Sequence, residues 1–156
     1  MSDPTRLRIL LIGASGELGR AIVAELGGRH EIVTSGSKSG DIRIDIADPV
    51  SIVAGLKAAG PLDAVACAAG AVNFQPMSAI AVASVERSVY GLGLANKLMG
   101  QVNLTLAARD VLRDGGSITL IAGVLSEQPI VAGSSASMVN GALEAFARAA
   151  SRSSWP

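Results

Sequence analysis

The sequence predicts a doubly wound α/β domain, a three-layer α/β/α sandwich built on a mainly parallel sheet. Short aliphatic runs alternate with stretches of helical periodicity along most of the chain. The first such unit reads strand, glycine-rich turn, helix, and the run Asp63 to Ala68 is small and, after its first residue, apolar, as a strand covered on both faces requires. Parallel strands need crossover connections, and the crossing helices cover the sheet.

Leu7 to Ile12 is the first strand, ended by Gly13. From Glu17 the apolar residues Leu18, Ala21, Ile22 and Leu26 recur at helical spacing until Gly27 and Gly28 stop them. Glu31 to Thr34 reads as a second strand and Ile42 to Ile46, which alternates, as a third. Asp48 followed by Pro49 is an N-cap with proline at the first helical position, starting a helix that reaches Ala59. After the strand Asp63 to Ala68, a loop carries Asn73 and Pro76, and helical patterning runs from Ser78 to Leu112, divided by Gly91 and Gly93. Asp114-Gly115-Gly116 reads as a turn, Ser117 to Ala122 as a fifth strand, and Ser134 to Arg148 as an amphipathic helix using Val139, Ala142, Leu143 and Phe146. The expected organisation is one domain over residues 1–150 and an irregular tail over 151–156, with the later strands of such a fold missing and the C-terminus truncated or altered.

The chain has 156 residues, 49% of them hydrophobic, and balances 13 basic against 13 acidic residues. Neither nucleic acid nor a charged membrane surface is the partner such a balance suggests, and no apolar run reaches the ~18 residues a transmembrane helix needs. The single cysteine, Cys67, precludes an internal disulfide, and the start Met1-Ser2-Asp3-Pro4 lacks the basic and apolar regions of a secretory signal. A cytoplasmic protein is expected. His30 has no Cys, His or paired carboxylate at ligand spacing, so no metal site is expected. Cys67, Met77, Met99 and Met138 read as packing residues, although Met138 is also placed to border a substrate pocket.

The turn Gly13-Ala14-Ser15-Gly16-Glu17-Leu18-Gly19 carries the chemistry. A dinucleotide pyrophosphate needs backbone N–H groups at a helix N-terminus with no side chain in the way, which glycines at these spacings permit. Cofactor choice is set near the end of the second strand, here Thr34-Ser35-Gly36-Ser37-Lys38-Ser39. This segment holds no acid for a ribose 2′-OH, but Ser37 and Lys38 suit a 2′-phosphate, so NADP(H) is expected over NAD(H). Asp45 is placed either to meet the adenine edge or to cap the turn into the next helix.

With Gly13 to Gly19, the strand ending Cys67-Ala68-Ala69-Gly70, and a late Gly-Ser-Ile strand followed by Ser134 to Phe146, residues 7 to about 150 resemble the short-chain dehydrogenase/reductase family. The resemblance implies a Rossmann-type cofactor fold in which Ala68, Ala69 and Gly70 also border the nucleotide. It departs in the GxxGxxG spacing and in having Cys67-Ala68-Ala69-Gly70 where classical members carry Asn-Asn-Ala-Gly. The family acts through a tyrosine, a lysine four residues on, a serine and an asparagine on an earlier helix. Aligning Ala142 to Phe146 with the motif after the lysine puts Ala136 at the tyrosine position and Asn140 at the lysine position. The serine position falls on Gly123 with Ser126 the nearest hydroxyl, and the asparagine on or beside Asn96. Tyr90 precedes Lys97 by about 10 Å of helix, too far to form the pair. Asn96, Ser126 and Asn140 are therefore the candidate catalytic residues, with no standard tyrosine–lysine pair.

Three functions remain open on this reading. The first is an NADP(H)-linked oxidoreductase of a carbonyl or alcohol, in which a water, Ser126 or Ser135 replaces the missing proton donor. The others are a non-catalytic nucleotide-binding sensor or scaffold, and a truncated inactive product. Segments Val89–Leu112 and Ser135–Arg148 match the helices that pair between subunits in the family, so a homodimer or homotetramer is expected.

Overall fold

The computed structural model describes residues 6–152, so Ser153 to Pro156 of the expected tail lie outside the described residues. Five strands form a single all-parallel sheet in the order β3-β2-β1-β4-β5: β1 Arg8–Ile12, β2 Glu31–Gly36, β3 Ile42–Arg43, β4 Leu62–Cys67 and β5 Leu112–Thr119. The helices are α1 Glu17–Leu26, α2 Pro49–Ala59, α3 Met99–Ala108 and α4 Ser134–Ala150. From β1 the chain moves one way through α1 to β2 and β3, then crosses through α2 to β4 on the other side of β1 and through α3 to β5. Right-handed crossovers running in opposite directions place their helices on opposite faces, so the two halves diverge between β1 and β4.

Alternation along β1 distributes the core. Leu10 and Ile12 belong to the main cluster with Val33, Ile52, Leu56, Val65 and Leu104, while Ile9 and Leu11 are buried on the other face. A central strand buried on both sides explains why β1 carries no polar residue after Arg8. Asp48 caps α2 as expected, its carboxylate accepting from Val50 N–H at 2.9 Å.

Three expected elements differ. The stretch Ser78 to Tyr90 forms two short 3₁₀ turns, at Met77–Ala79 and Val85–Arg87, rather than helix. Helix begins at Gly91, so the glycines start the element they were expected to divide, and Gly93–Leu98 is wound as a π-helix before α3. Gly93 lies at the close approach to α4, where a Cβ would sit 3.0 Å from Val139 Cγ2 and 3.1 Å from Ser135 Oγ. Asp114-Gly115-Gly116 is a bulge inside β5: the pairing jumps from Leu62↔Leu112 to Ala64↔Ser117, and Gly115 supplies φ +76°. The third strand is shorter than its alternation predicts, because Asp45 and Ile46 already belong to the turn into α2.

Candidate functional site

The carboxyl ends of β1, β2 and β4 border a cleft of about 280 Å³. It is lined by Gly13 and Ser15 after β1, Ser37 after β2, Asp45 after β3, Ala69 and Gly70 after β4, and Asn96 from the π-helix. These seven were named from the sequence; Ile12, Gly36, Ile44, Ile46 and Ala71, which were not, complete the lining, and the divergence of the two halves of the sheet leaves the opening in which they meet.

The turn is fixed by backbone geometry. Gly13 adopts φ +83°, and its N–H donates to Ser35 O at 2.8 Å, tying the turn to β2. A Cβ on Gly13 would lie 2.8 Å from the Ala68 backbone and 3.0 Å from Ala69 Cβ, so only glycine fits between β1 and β4. Gly19 is buried and packs α1 onto the turn, where an added Cβ would stand 2.1 Å from Gly13 O. Gly16 is the N-cap of α1 in an ordinary extended conformation, and the nearest atom to an added Cβ is Gly13 O at 3.3 Å. The three glycines thus divide the work of turn, open approach and helix packing. Arg20 donates to Ser15 O at 2.7 Å and steadies the turn from α1.

Other expected cofactor residues take supporting places. Ala68 backs Gly13, while Glu17 and Leu18 are exposed in the first turn of α1 without lining the cleft. Lys38 is exposed in the bend after β2, next to Ser37. Asp45 caps its turn through a bond from Ala47 N–H at 2.9 Å and also lines the cleft. Two residues past Ser39, Asp41 folds back onto β2, its Oδ2 accepting from Thr34 N–H at 2.9 Å and Thr34 Oγ1 at 2.7 Å. These bonds hold its carboxyl below the usual carboxylate range.

Past the end of β4, two of the candidate catalytic residues, Asn140 and Ser126, meet at Gly123 O, while Asn96 holds a separate loop. Asn96 Oδ1 accepts from Ala71 N–H at 2.8 Å and fixes the loop that borders the cleft. Asn140, 3% exposed on α4, donates through Nδ2 to Gly123 O at 3.1 Å and accepts at Oδ1 from Lys97 Nζ at 2.7 Å. Ser126 Oγ lies 3.1 Å from that same Gly123 O and 2.5 Å from Glu144 Oε1. Gln101, fully buried, receives Ile121 N–H at 2.8 Å and donates to Ile121 O at 3.0 Å, which anchors the chain after β5.

Lys97 and Glu144 were missed as site residues from the sequence. In the sequence Lys97 stands seven residues after Tyr90, and nothing there shows that its ammonium reaches a second helix. Desolvation lowers its pKa from the ordinary lysine value, a shift that the nearby Cys67 partly opposes. Burial pushes the Cys67 thiol up to about 11, consistent with a packing residue rather than a nucleophile. Tyr90 OH lies 3.2 Å from Ser134 Oγ and donates to Met77 Sδ, beside an apolar recess of about 400 Å³ that Met138 also lines. Among the described residues no three metal-ligating side chains come together, and no helix is long and apolar enough to cross a membrane.

No family model and no curated protein matches the chain. Solved structures do. The protein lin1944 from Listeria innocua is 41% identical over 92% of this chain and 70% of its own length, with a TM-score of 0.86. A small-chain dehydrogenase in complex with NADPH is 20% identical over 94% of this chain and 64% of its own, with a TM-score of 0.82. A glucose/ribitol-type short-chain dehydrogenase/reductase from Brucella melitensis is 19% identical, covering 94% and 69%, again at 0.82. The sheet order and the switch-point cleft define a Rossmann-type α/β protein. Within that class the chain shares its fold with short-chain dehydrogenases/reductases.

Proposed function

We propose that the chain is a cytoplasmic NADP(H)-linked oxidoreductase of a carbonyl or alcohol, with residues 1–150 as its cofactor-binding domain. The observation that carries this reading is the glycine cradle at the switch point, where a Cβ on Gly13 would collide with β4 and Gly16 leaves the approach to α1 open. That shape fits a dinucleotide: pyrophosphate over Gly13 to Gly16 at the helix N-terminus, adenosine toward Ser37 and Asp45. NADPH complexes among structures of the same fold support a nicotinamide cofactor, which supplies hydride transfer. For the 2′-phosphate, Ser37 and Lys38 offer a hydroxyl and a cation, while the Asp41 carboxylate is engaged by Thr34.

Fluorescence titration tests the choice of cofactor: NADPH is expected to bind about tenfold or more tightly than NADH, and Lys38→Glu to erase or reverse the difference. Equal affinities in the unmodified protein would refute the preference.

One observation favours the non-catalytic alternative. Ala136 stands at the family's tyrosine position and is 3% exposed, so the methyl is enclosed and no acid replaces the phenol there. Single-turnover oxidation of NADPH with a panel of aldehydes, ketones and quinones separates the two, since binding without any oxidation leaves only the sensor or scaffold role.

Self-association through α3 and its π-helix is part of the same reading. Leu92, Met99 and Leu106 are 41%, 44% and 44% exposed, and Met99 and Leu106 stand two turns apart on one face of α3. Sedimentation at tens of micromolar is expected to show a homodimer or homotetramer, and a clean monomer would count against it.

A further inference from the structure

The strongest unassigned feature of the molecule is the contact between Lys97 and Asn140. Lys97 is half-buried at the end of the π-helix, with its stem lying on Gly70, where an added Cβ would meet Lys97 Cγ at 2.6 Å. Its ammonium donates to Asn140 Oδ1, and Asn140 is in turn held by Gly123 O. No carboxylate pairs with Lys97 among the described residues, whose ion pairs involve only arginines. Placing a cation in a half-desolvated position against a neutral amide is costly unless a ligand completes its hydrogen bonding. Of the three N–H donors of an ammonium, one is used here by Asn140.

The location indicates what that ligand is. Along the carboxyl edge of the sheet, Ser37 and Asp45 follow β2 and β3, Gly13 follows β1, Gly70 follows β4 and Gly123 follows β5. From β2 to β5 is three strand spacings, about 14 Å. A dinucleotide with its adenosine at Ser37 and its pyrophosphate over Gly13 must carry its second half past Gly70 toward Gly123. Lys97 and Asn140 bridge that stretch.

We infer that Lys97, oriented by Asn140, binds the hydroxyls of the cofactor's second ribose, so that the cation comes from the π-helix and the amide from α4. This rests on the dinucleotide reading of the cleft. It also accounts for the asparagine on α4: an amide oxygen facing Lys97 fixes the ammonium, whereas a lysine at 140 would repel it. The π-helical winding of Gly93–Leu98 places adjacent residues in two tasks, Asn96 on the loop after β4 and Lys97 on α4.

Binding measurements with two ligands test the inference without requiring turnover. NADPH contains the second ribose and ADP does not. Lys97→Met is expected to weaken NADPH by about ten- to a hundredfold, the loss that follows removal of a charged hydrogen-bonding group, and to leave ADP unchanged. Asn140→Leu should do the same to a smaller degree. The exchanged variant Lys97→Asn with Asn140→Lys should recover NADPH affinity to within about threefold, and far-ultraviolet circular dichroism should confirm that each variant is folded. NADPH affinity unchanged in Lys97→Met, or weakened equally with ADP, overturns the role of Lys97 while leaving the cleft assignment intact. An unmodified protein that binds neither ligand overturns the cleft assignment and the role of Lys97 together.

Discussion

Gly16→Val is expected to weaken NADPH binding by at least about a hundredfold, or about 2.7 kcal/mol, in a protein that remains folded. The reasoning rests on the differing surroundings of three glycines. At Gly13, valine must adopt φ +83° and push into the Ala68 backbone, so the turn itself fails. At Gly19 the new Cβ would stand 2.1 Å from Gly13 O, separating α1 from the turn. Both substitutions should remove binding, but by disturbing the fold. At Gly16 the backbone has φ −71° and ψ 171°, an extended conformation open to valine, and the only neighbour of the new Cβ is Gly13 O at 3.3 Å. Gly13 O must give by a few tenths of an ångström, a far smaller adjustment than valine forces at Gly13 or Gly19, while the branched side chain covers the mouth of the helix where a pyrophosphate would approach. Gly28→Val, with nothing within 4 Å of the added Cβ, is the matched control and should bind normally. Isothermal titration beside urea denaturation reads both quantities, and a folded Gly16→Val protein with ordinary NADPH affinity would show that no pyrophosphate lies over this turn.

The same glycines show how far the sequence could be read. Gly13, Gly16 and Gly19 are local in the chain, and a strand before them and a helix after them restrict what they can build, so the turn and its place at the switch point were legible. The parallel sheet was legible too, because β1 after Arg8 and β4 after Asp63 are apolar on both faces. Helix from Ser78 to Tyr90 was misread because its apolar residues fit a helical period, yet Val82 and Val85 are exposed there and nothing packs the segment into a helix. The bulge at Asp114 to Gly116 carries the residues of a turn, and only its pairing with Leu62 and Ala64 shows that the strand continues through it. Lys97 stayed hidden for a different reason. Its partner Asn140 lies on another helix, and the contact depends on a π-helical register that no periodicity in the sequence announces.

That contact changes what a restored family motif should do. On sequence grounds alone, Ala136→Tyr with Asn140→Lys would reinstate the tyrosine–lysine pair and raise activity. The structure leads to the opposite expectation, a loss of stability with no gain in hydride transfer. Ala136 is 3% exposed, so a phenol ring must be forced into occupied space, which typically costs about 1–3 kcal/mol. Asn140 is equally enclosed, and its Oδ1 is the acceptor of the Lys97 ammonium at 2.7 Å. Lysine there removes that acceptor and sets a second positive charge against the first, while the carboxylate one turn on, Glu144, is already engaged by Ser126. An uncompensated buried charge costs about 3–5 kcal/mol. Together these terms are comparable with the whole stability of a domain, about 5–15 kcal/mol. Urea midpoints should therefore fall steeply for the double variant, and Asn140→Lys alone should account for the larger part. Adding Lys97→Asn should recover that part, because one ammonium then again faces one amide, and leave only the cost of the ring. A double variant as stable as the unmodified protein and faster in single-turnover hydride transfer would show that the space beside Ala136 is open and that the ammonium of Lys97 lies elsewhere.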